Sequence, residues 1–475
     1  MQKSQRYLLM DPRVVERTID AHLVLGKAHK HPGNPLFGED RPWEDRYDNG
    51  YPNVILDEQD GLYKCWYDPF MYDQAVRQTP AARRSQITYL KAMQALRDPN
   101  HRTREMGMCY AQSVDGLNWT KPPLGIIDWD GDRANNIVIR DESLGAGITV
   151  HGSGVFKDSR EADPQRRYKM LTRLDVYDGR TARLISKGLG TVVSADGLRW
   201  RDPQRCEGVD IAADTHNFPL WAPTLRRYVA ITRHKVIGAD GKMPIRVVAW
   251  TASRDFRTWS KPRIVMRGLD DAHQIYSMPV AYHAGLYIGL PAVFDIRTDR
   301  VHTELAVSTD TRTWHRICPG QPLIPTSTRA GAYDWGCVYA SPPVFAPDGV
   351  RLYYVGSDGR HFDWRKGSFC LASLRHDGFA SIAPTDIAKP CSIWTMPMRV
   401  RPGQRLVVSV DVARGGSIRA AMVGDHRRSL SACRPITRTG TDVELAWSSA
   451  QPVAAGEVRL RFVLNDAKLY AFAWV

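Results

Sequence analysis

One seven-residue phrase recurs along the chain and limits what it can fold into. Ser113-Val114-Asp115-Gly116-Leu117-Asn118-Trp119 is its first clear copy, followed by Thr120-Lys121-Pro122. Ser194-Ala195-Asp196-Gly197-Leu198-Arg199-Trp200, Ser253-Arg254-Asp255-Phe256-Arg257-Thr258-Trp259 and Ser308-Thr309-Asp310-Thr311-Arg312-Thr313-Trp314 repeat it. Ser373-Leu374-Arg375-His376-Asp377-Gly378-Phe379 is a worn fifth copy. The copies start roughly 55–80 residues apart, as expected of one supersecondary unit used repeatedly.

Each copy follows a β-type run: 106–112, 190–193, 246–252, 303–307 and 368–372. The Ser and Asp side chains can bond nearby backbone amides and close a tight turn, with Gly supplying unusual dihedrals where it occurs. The Trp packs back over the hairpin, and Pro, where it follows, limits the next strand. Five such turns, each between the outer strands of a four-stranded blade, predict a five-bladed β-propeller.

A chain of 475 residues with 14 Trp, 19 Tyr, 37 Gly and 30 Pro reads as all-β, with one large and one small domain. Residues 1–45 read as an N-terminal extension with a short helical pattern at Pro12–Leu25. Residues 46–385 read as the propeller. Residues 386–475 lack the phrase and carry alternating runs at 406–412, 417–423, 441–445, 457–464 and 468–475. They predict a C-terminal β-sandwich. Between the hairpin of residues 51–67 and the first phrase lies an insertion, Asp68–Arg104. Its Ile87, Leu90, Met93 and Leu96 have helical spacing, which predicts a helix over 81–96, either a lid or a surface decoration.

No apolar run approaches the roughly 20 residues of a membrane span, and Met1–Asp20 has no apolar signal core. Eight cysteines stand singly, without a C-x-x-C pair, and read as reduced, buried small hydrophobes. The expectation is therefore a cytoplasmic protein without a membrane partner. The formal charge of +14 admits an anionic partner, either nucleic acid or an acidic or sulfated sugar. The cations are scattered, and no nucleic-acid motif accompanies them, so no nucleic-acid partner is expected and an anionic glycan stays open. Self-association into a homo-oligomer also stays open.

The S-x-D-G-x-x-W-x-x-P phrases, with the hairpin Gly61-Leu62-Tyr63-Lys64-Cys65-Trp66-Tyr67, resemble the five-bladed propellers of glycoside hydrolases. The nearest are families 32, 43, 68, 117 and 130, and a propeller followed by a β-sandwich most resembles family 32. The phrase also resembles the Asp-box of the six-bladed sialidases. The resemblance implies an enzyme that cleaves a glycosidic bond in a carbohydrate substrate. The alternative is a non-catalytic carbohydrate-binding propeller. The N-D-P-N-G, R-D-P and E-C signatures of family 32 are absent where they should stand. The family 43 carboxylates of units two and four are replaced by His151 and by Gln274 or Tyr276.

Glycoside hydrolysis needs two carboxyl groups flanking the bond, and in a propeller the entrances of the innermost strands share one funnel. Asp214, crowded with Thr215, His216 and Asn217 at the start of an apolar strand, is the first candidate for a catalytic carboxylate. Asp48, near where the resemblance places a base, and Asp334 are the candidate partners. His151 is a candidate acid. His216, Asn217, Asp271, Tyr276, Trp335, Tyr339, Asp358 and His361 are candidate substrate-binding residues. Glu44 and Asp45 read as surface charges in a charged loop. No H-E-x-x-H motif is present, so neither a metal nor a cofactor is expected; a cation held jointly by His151, His216, His273 and His361 is the alternative.

Overall fold

The computed structural model describes residues 5–97, 102–178, 183–449 and 451–475. Residues 1–4 of the expected extension, 98–101 of the insertion and 450 of the C-terminal region lie outside the described residues. Nearly every regular element is a strand, and the sheets have a propeller-like arrangement.

The repeated phrase closes the same turn four times. In the first copy, the Asp115 carboxylate accepts from the Leu117 and Asn118 amides, both at 2.8 Å, and from the Ser113 hydroxyl at 2.9 Å. The Gly116 amide donates to Ser113 Oγ at 2.9 Å. Asp196, Asp255 and Asp310 each make the same pair of backbone bonds at 2.8 Å. The fifth copy departs. Asp377 turns away to accept from Ser409 Oγ and to pair with Arg6, so it ties the propeller to the C-terminal sheet.

Among the described residues, the strands between these turns run in antiparallel meanders, numbered in chain order. The first contains Arg46–Leu56, Tyr63–Asp73, Met108–Ser113 and Ile137–Ile139. The second contains Ile148–Lys157, Tyr168–Tyr177, Leu189–Ser194 and Trp200–Arg205, and the third Phe218–Ala222, Arg227–Ile237, Pro244–Ser253 and Arg263–Met266. The fourth breaks into inner and outer halves at Pro279 and Pro291, which lack the amide a continuous ladder needs. The fifth runs from Cys337–Ala340 through Gly349–Ser357 to Gly367–Leu374. A parallel bridge, Val301 to Cys337, merges the inner fourth meander with the fifth into one nine-stranded sheet.

Contacts between the first strands close a ring. Asn53 Nδ2 of the first meander donates to Ser153 O of the second at 2.8 Å, and Ser153 bridges Asn217, just before the third. Thr215 Oγ1 donates to Tyr276 O of the fourth meander at 2.6 Å. Ser341, which follows the first strand of the fifth, accepts at Oγ from Val54 N at 3.0 Å. One end of each first strand therefore faces a common axis, which is what positions the candidate site.

The N-terminal segment corrects the helical reading of Pro12–Leu25. Val15–Ile19 and Ala21–Leu25 are strands, turned at Asp20 with φ of 54°, and they pair with Cys391–Thr395 and Ala380–Pro384. Local periodicity is outweighed here by the open edges of the C-terminal sheet. Further on, His29–Lys30 and Phe37–Gly38 pair with Gly367–Leu374 and supply the outer strand of the fifth meander.

The C-terminal runs are also longer than expected. Residues 406–412 and all but the last of 417–423 belong to one strand, Leu406–Met422, bulged between Val412 and Ser417. Leu460–Trp474 pairs along it and, on its other edge, with Cys391–Thr395, Ala380–Pro384 and Gln5–Leu8. The result is one eight-stranded sheet, bent at its bulges so that both halves of each long strand enclose a common apolar core. The insertion forms a short helix at Gln74–Gln78, a 3₁₀ turn at Ala81–Arg83 and a second helix at Tyr89–Ala95, capped by Thr88.

Candidate functional site

A cavity of about 390 Å³ opens where the meander entrances meet, and Asp48, His151, Asp214, Tyr276 and His361 all line it. Two backbone features bring the first three together. Strand Arg46–Leu56 is irregular from Asp48 to Tyr51, both of which have positive φ (53° and 39°), and the ladder loses register on either side of Gly50. Asp48 is thereby turned out of the sheet. Gly152, at φ of 68°, lets the second meander press against the segment before the third: a Cβ there would stand 1.8 Å from the Thr215 carbonyl oxygen. That approach sets His151 Nε2 at 3.5 Å from Asp214 Oδ1. The insertion supplies another wall through Tyr89, Leu90 and Met93, docked by the Arg46 guanidinium over the Tyr89 ring at 3.8 Å.

Arginines hold both carboxylates ionised. Asp48 accepts from Arg365 Nη2 at 2.6 Å and has Arg46 Nε at 3.5 Å. Asp214 faces Arg233 Nη2 at 3.0 Å and Arg173 Nη1 at 3.3 Å. Burial alone would raise these carboxyls, but the neighbouring guanidinium groups outweigh it and hold both well below the usual carboxylate range. Burial pushes His151 and His361 below the ordinary imidazole value, so both are neutral at pH 7. His361 Nδ1 shares a 2.9 Å hydrogen bond with the Tyr339 hydroxyl. Two residues beyond His151, Ser153 N donates to Asp68 Oδ2 at 2.7 Å, while the other Asp68 oxygen is buried without a partner among the described residues. Burial pushes the Asp68 carboxyl up to about 7.

The other candidate residues lie elsewhere. Asp334 is fully buried and holds Ser327 Oγ, Tyr354 Oη and Lys30 Nζ, so its carboxylate supports the fifth meander rather than the cavity. His216 bonds Asn53 Oδ1 at 2.9 Å, and burial lowers its pKa to about 3. Asn217 Nδ2 donates to three backbone carbonyls, and its oxygen accepts from Thr232. Both brace the inner strands. Tyr339 is buried and touches the cavity's lining through His361. Asp271 accepts from Ala239 N and Asp358 from Lys366 N, which makes both loop braces. The Trp335 ring carries the Arg300 guanidinium at 4.9 Å. Glu44, expected at the surface, is buried and pairs with Lys121 at 2.7 Å. The four histidines do not gather; His273 pairs with Asp270 instead, and no metal-holding group of His, Cys, Asp or Glu is found among the described residues.

Sequence reasoning missed the arginines. Leu171-Thr172-Arg173 and Ile231-Thr232-Arg233 recur in the second strands of consecutive meanders, and each arginine reaches Asp214. That repeated Thr-Arg pair was a readable signal. Arg365 carried none.

No family model matches the chain, and no curated protein matches it. Solved structures similar to it include an N-acetylgalactosamine deacetylase from F. plautii in complex with blood group B trisaccharide, at 14% identity and a TM-score of 0.47, covering 73% of this chain and 94% of that one. Another is a glycosyl hydrolase from Bacteroides ovatus, at 12% identity and a TM-score of 0.44, with coverage of 73% and 94%. A third is a β-1,2-mannobiose phosphorylase from Listeria innocua, at 10% identity and a TM-score of 0.46, with coverage of 73% and 96%. Likeness at this level assigns no residue a role.

Proposed function

We propose that the chain is a carbohydrate-active enzyme that hydrolyses a glycosidic bond in the cavity of the propeller-like ring. One observation carries the reading: Asp48, His151 and Asp214 come from three different meander entrances and line one cavity. An oxocarbenium-like transition state gains from a fixed negative charge beside the ring, and the arginines keep Asp48 and Asp214 in the form that supplies it. Neither carboxyl holds a proton near neutral pH, so neither is the donor to the leaving oxygen. In this reading that task falls to His151 in its protonated form, which the 3.5 Å approach to Asp214 supports against the burial that opposes it. Asp48 and Asp214 then share the roles of nucleophile or water-activating base and charge stabiliser. Tyr276 and His361 form an aromatic wall with ring centroids 4.9 Å apart, suited to a sugar face.

The same arginine pairing favours a second reading, a propeller that binds carbohydrate without cleaving it. A screen of chromogenic glycosides and oligosaccharides separates the two. The hydrolase reading expects released sugar from the parent protein and a large loss in Asp48→Asn and Asp214→Asn. Saturable binding with no release from any bound saccharide selects the binding protein.

A further inference from the structure

The cavity carries more positive charge than its two carboxylates use. Five arginines line it; Arg102 pairs with Asp141, Arg173 with Asp175 and Asp214, and Arg46 with Asp48. Both carboxylates are also paired from behind the wall, by Arg365 and Arg233. Arg104 lies over the Phe70 ring at 4.9 Å, and no carboxylate pairs with it among the described residues. Of the lining arginines, Arg46 has its Nε buried without a hydrogen-bond acceptor among the described residues, the Asp48 carboxylate standing 3.5 Å away. A ligand with anionic oxygens would give Arg104 acceptors in the fork geometry that a guanidinium favours. A neutral sugar would add hydroxyls but leave Arg104 without a counter-ion.

We propose that the cavity takes a saccharide bearing an anionic substituent, a carboxylate or a sulfate ester, with Arg104 as its principal counter-ion and Arg46 and Arg173 flanking; this rests on the carbohydrate reading above. The formal charge of +14 adds long-range attraction for such a ligand. The ionised Asp48 and Asp214 repel an anion placed against them, so the substituent projects toward Arg104 and the uncharged part of the ring meets the aspartates.

The test is calorimetric titration of the full chain with oligogalacturonates and sulfated galactan oligosaccharides, each beside its methyl-esterified or desulfated twin. The charged member should bind at least about tenfold tighter, a gap of about 1.4 kcal/mol. The gap should shrink between about 0.05 M and about 0.5 M salt. Arg104→Gln should remove most of the preference, and Arg104→Lys should keep part of it. Equal or tighter binding of the neutral twin overturns the inference and leaves the carbohydrate reading standing. Binding of no saccharide at all overturns both. If inorganic phosphate or sulfate raises the melting temperature as much as the charged saccharide does, the guanidinium groups serve a free ion, and the inference falls. Full preference retained in Arg104→Gln overturns it as well.

Discussion

Asp214→Asn removes a charge and almost no volume, so it separates chemistry from folding. The amide still offers an oxygen to Arg233 but not the charge that pairs it, so melting should fall modestly while the fold is kept. Turnover on any substrate the parent cleaves should drop by about 10²–10⁴. Near-full activity would remove Asp214 from the mechanism. The proposed donor makes a second prediction at this scale. Burial holds His151 below its ordinary value of 6.5, and the active form is the protonated one, so kcat/KM should rise as pH falls from about 7 toward about 5. Asp48 and Asp214, depressed by their arginines, stay ionised across that window and add no acid limb. A flat profile there would exclude His151 as the donor. Asp68 gives a third prediction. Its carboxyl is raised to about 7 in the folded chain, against about 4 when unfolded, so the folded state holds a proton that the unfolded state has lost. Stability from this group is present below about pH 4 and is lost as pH rises to about 7. Asp68→Asn cannot lose that proton, so its melting temperature should gain on the parent's between pH 5 and pH 8. An unchanged difference would show that Asp68 does not titrate in this range.

The turn phrase is the element on which the propeller-like ring depends, and its aspartate closes four of the five copies by the same two amide bonds. Asp255→Ala removes both bonds and leaves the Arg257 and Thr258 amides to solvent. The loss resembles that of a helix cap, so stability should fall by about 1–2 kcal/mol, measured by chemical denaturation. No change would mean that the preceding strand pairing holds the turn unaided. Because these bonds lie within a few residues of one another, the phrase was readable from sequence in four of its five copies. The fifth was misread in role because Asp377 bonds Ser409, a residue far along the chain. The strands at Val15–Ile19 and Ala21–Leu25 escaped for the same reason, since their partners lie beyond residue 379.

At the scale of the whole molecule, Leu460–Trp474 joins the two ends of the chain, pairing with Gln5–Leu8 and with Leu406–Met422. Tyr470, Phe472 and Trp474 are all buried, and burial of each is worth about 1.5–3 kcal/mol. A chain lacking residues 466–475 should therefore be recovered as insoluble protein. A soluble product with the parent's melting curve would show that the sheet closes without this strand. By itself the sequence determined the all-β class and the turn repeat, and it offered Asp48, His151, Asp214, Tyr276 and His361, which line one cavity, among a longer set of candidates. A repeated unit places equivalent positions at the same end, and that regularity is local. Only the tertiary structure decided that Asp334 braces a meander, that the N-terminal segment completes the fifth meander, and that arginines hold the site's carboxylates ionised. Arg365 stands 317 residues from the Asp48 it pairs with, and the guanidinium's reach to a carboxylate is set by packing across the ring, on which local pattern is silent.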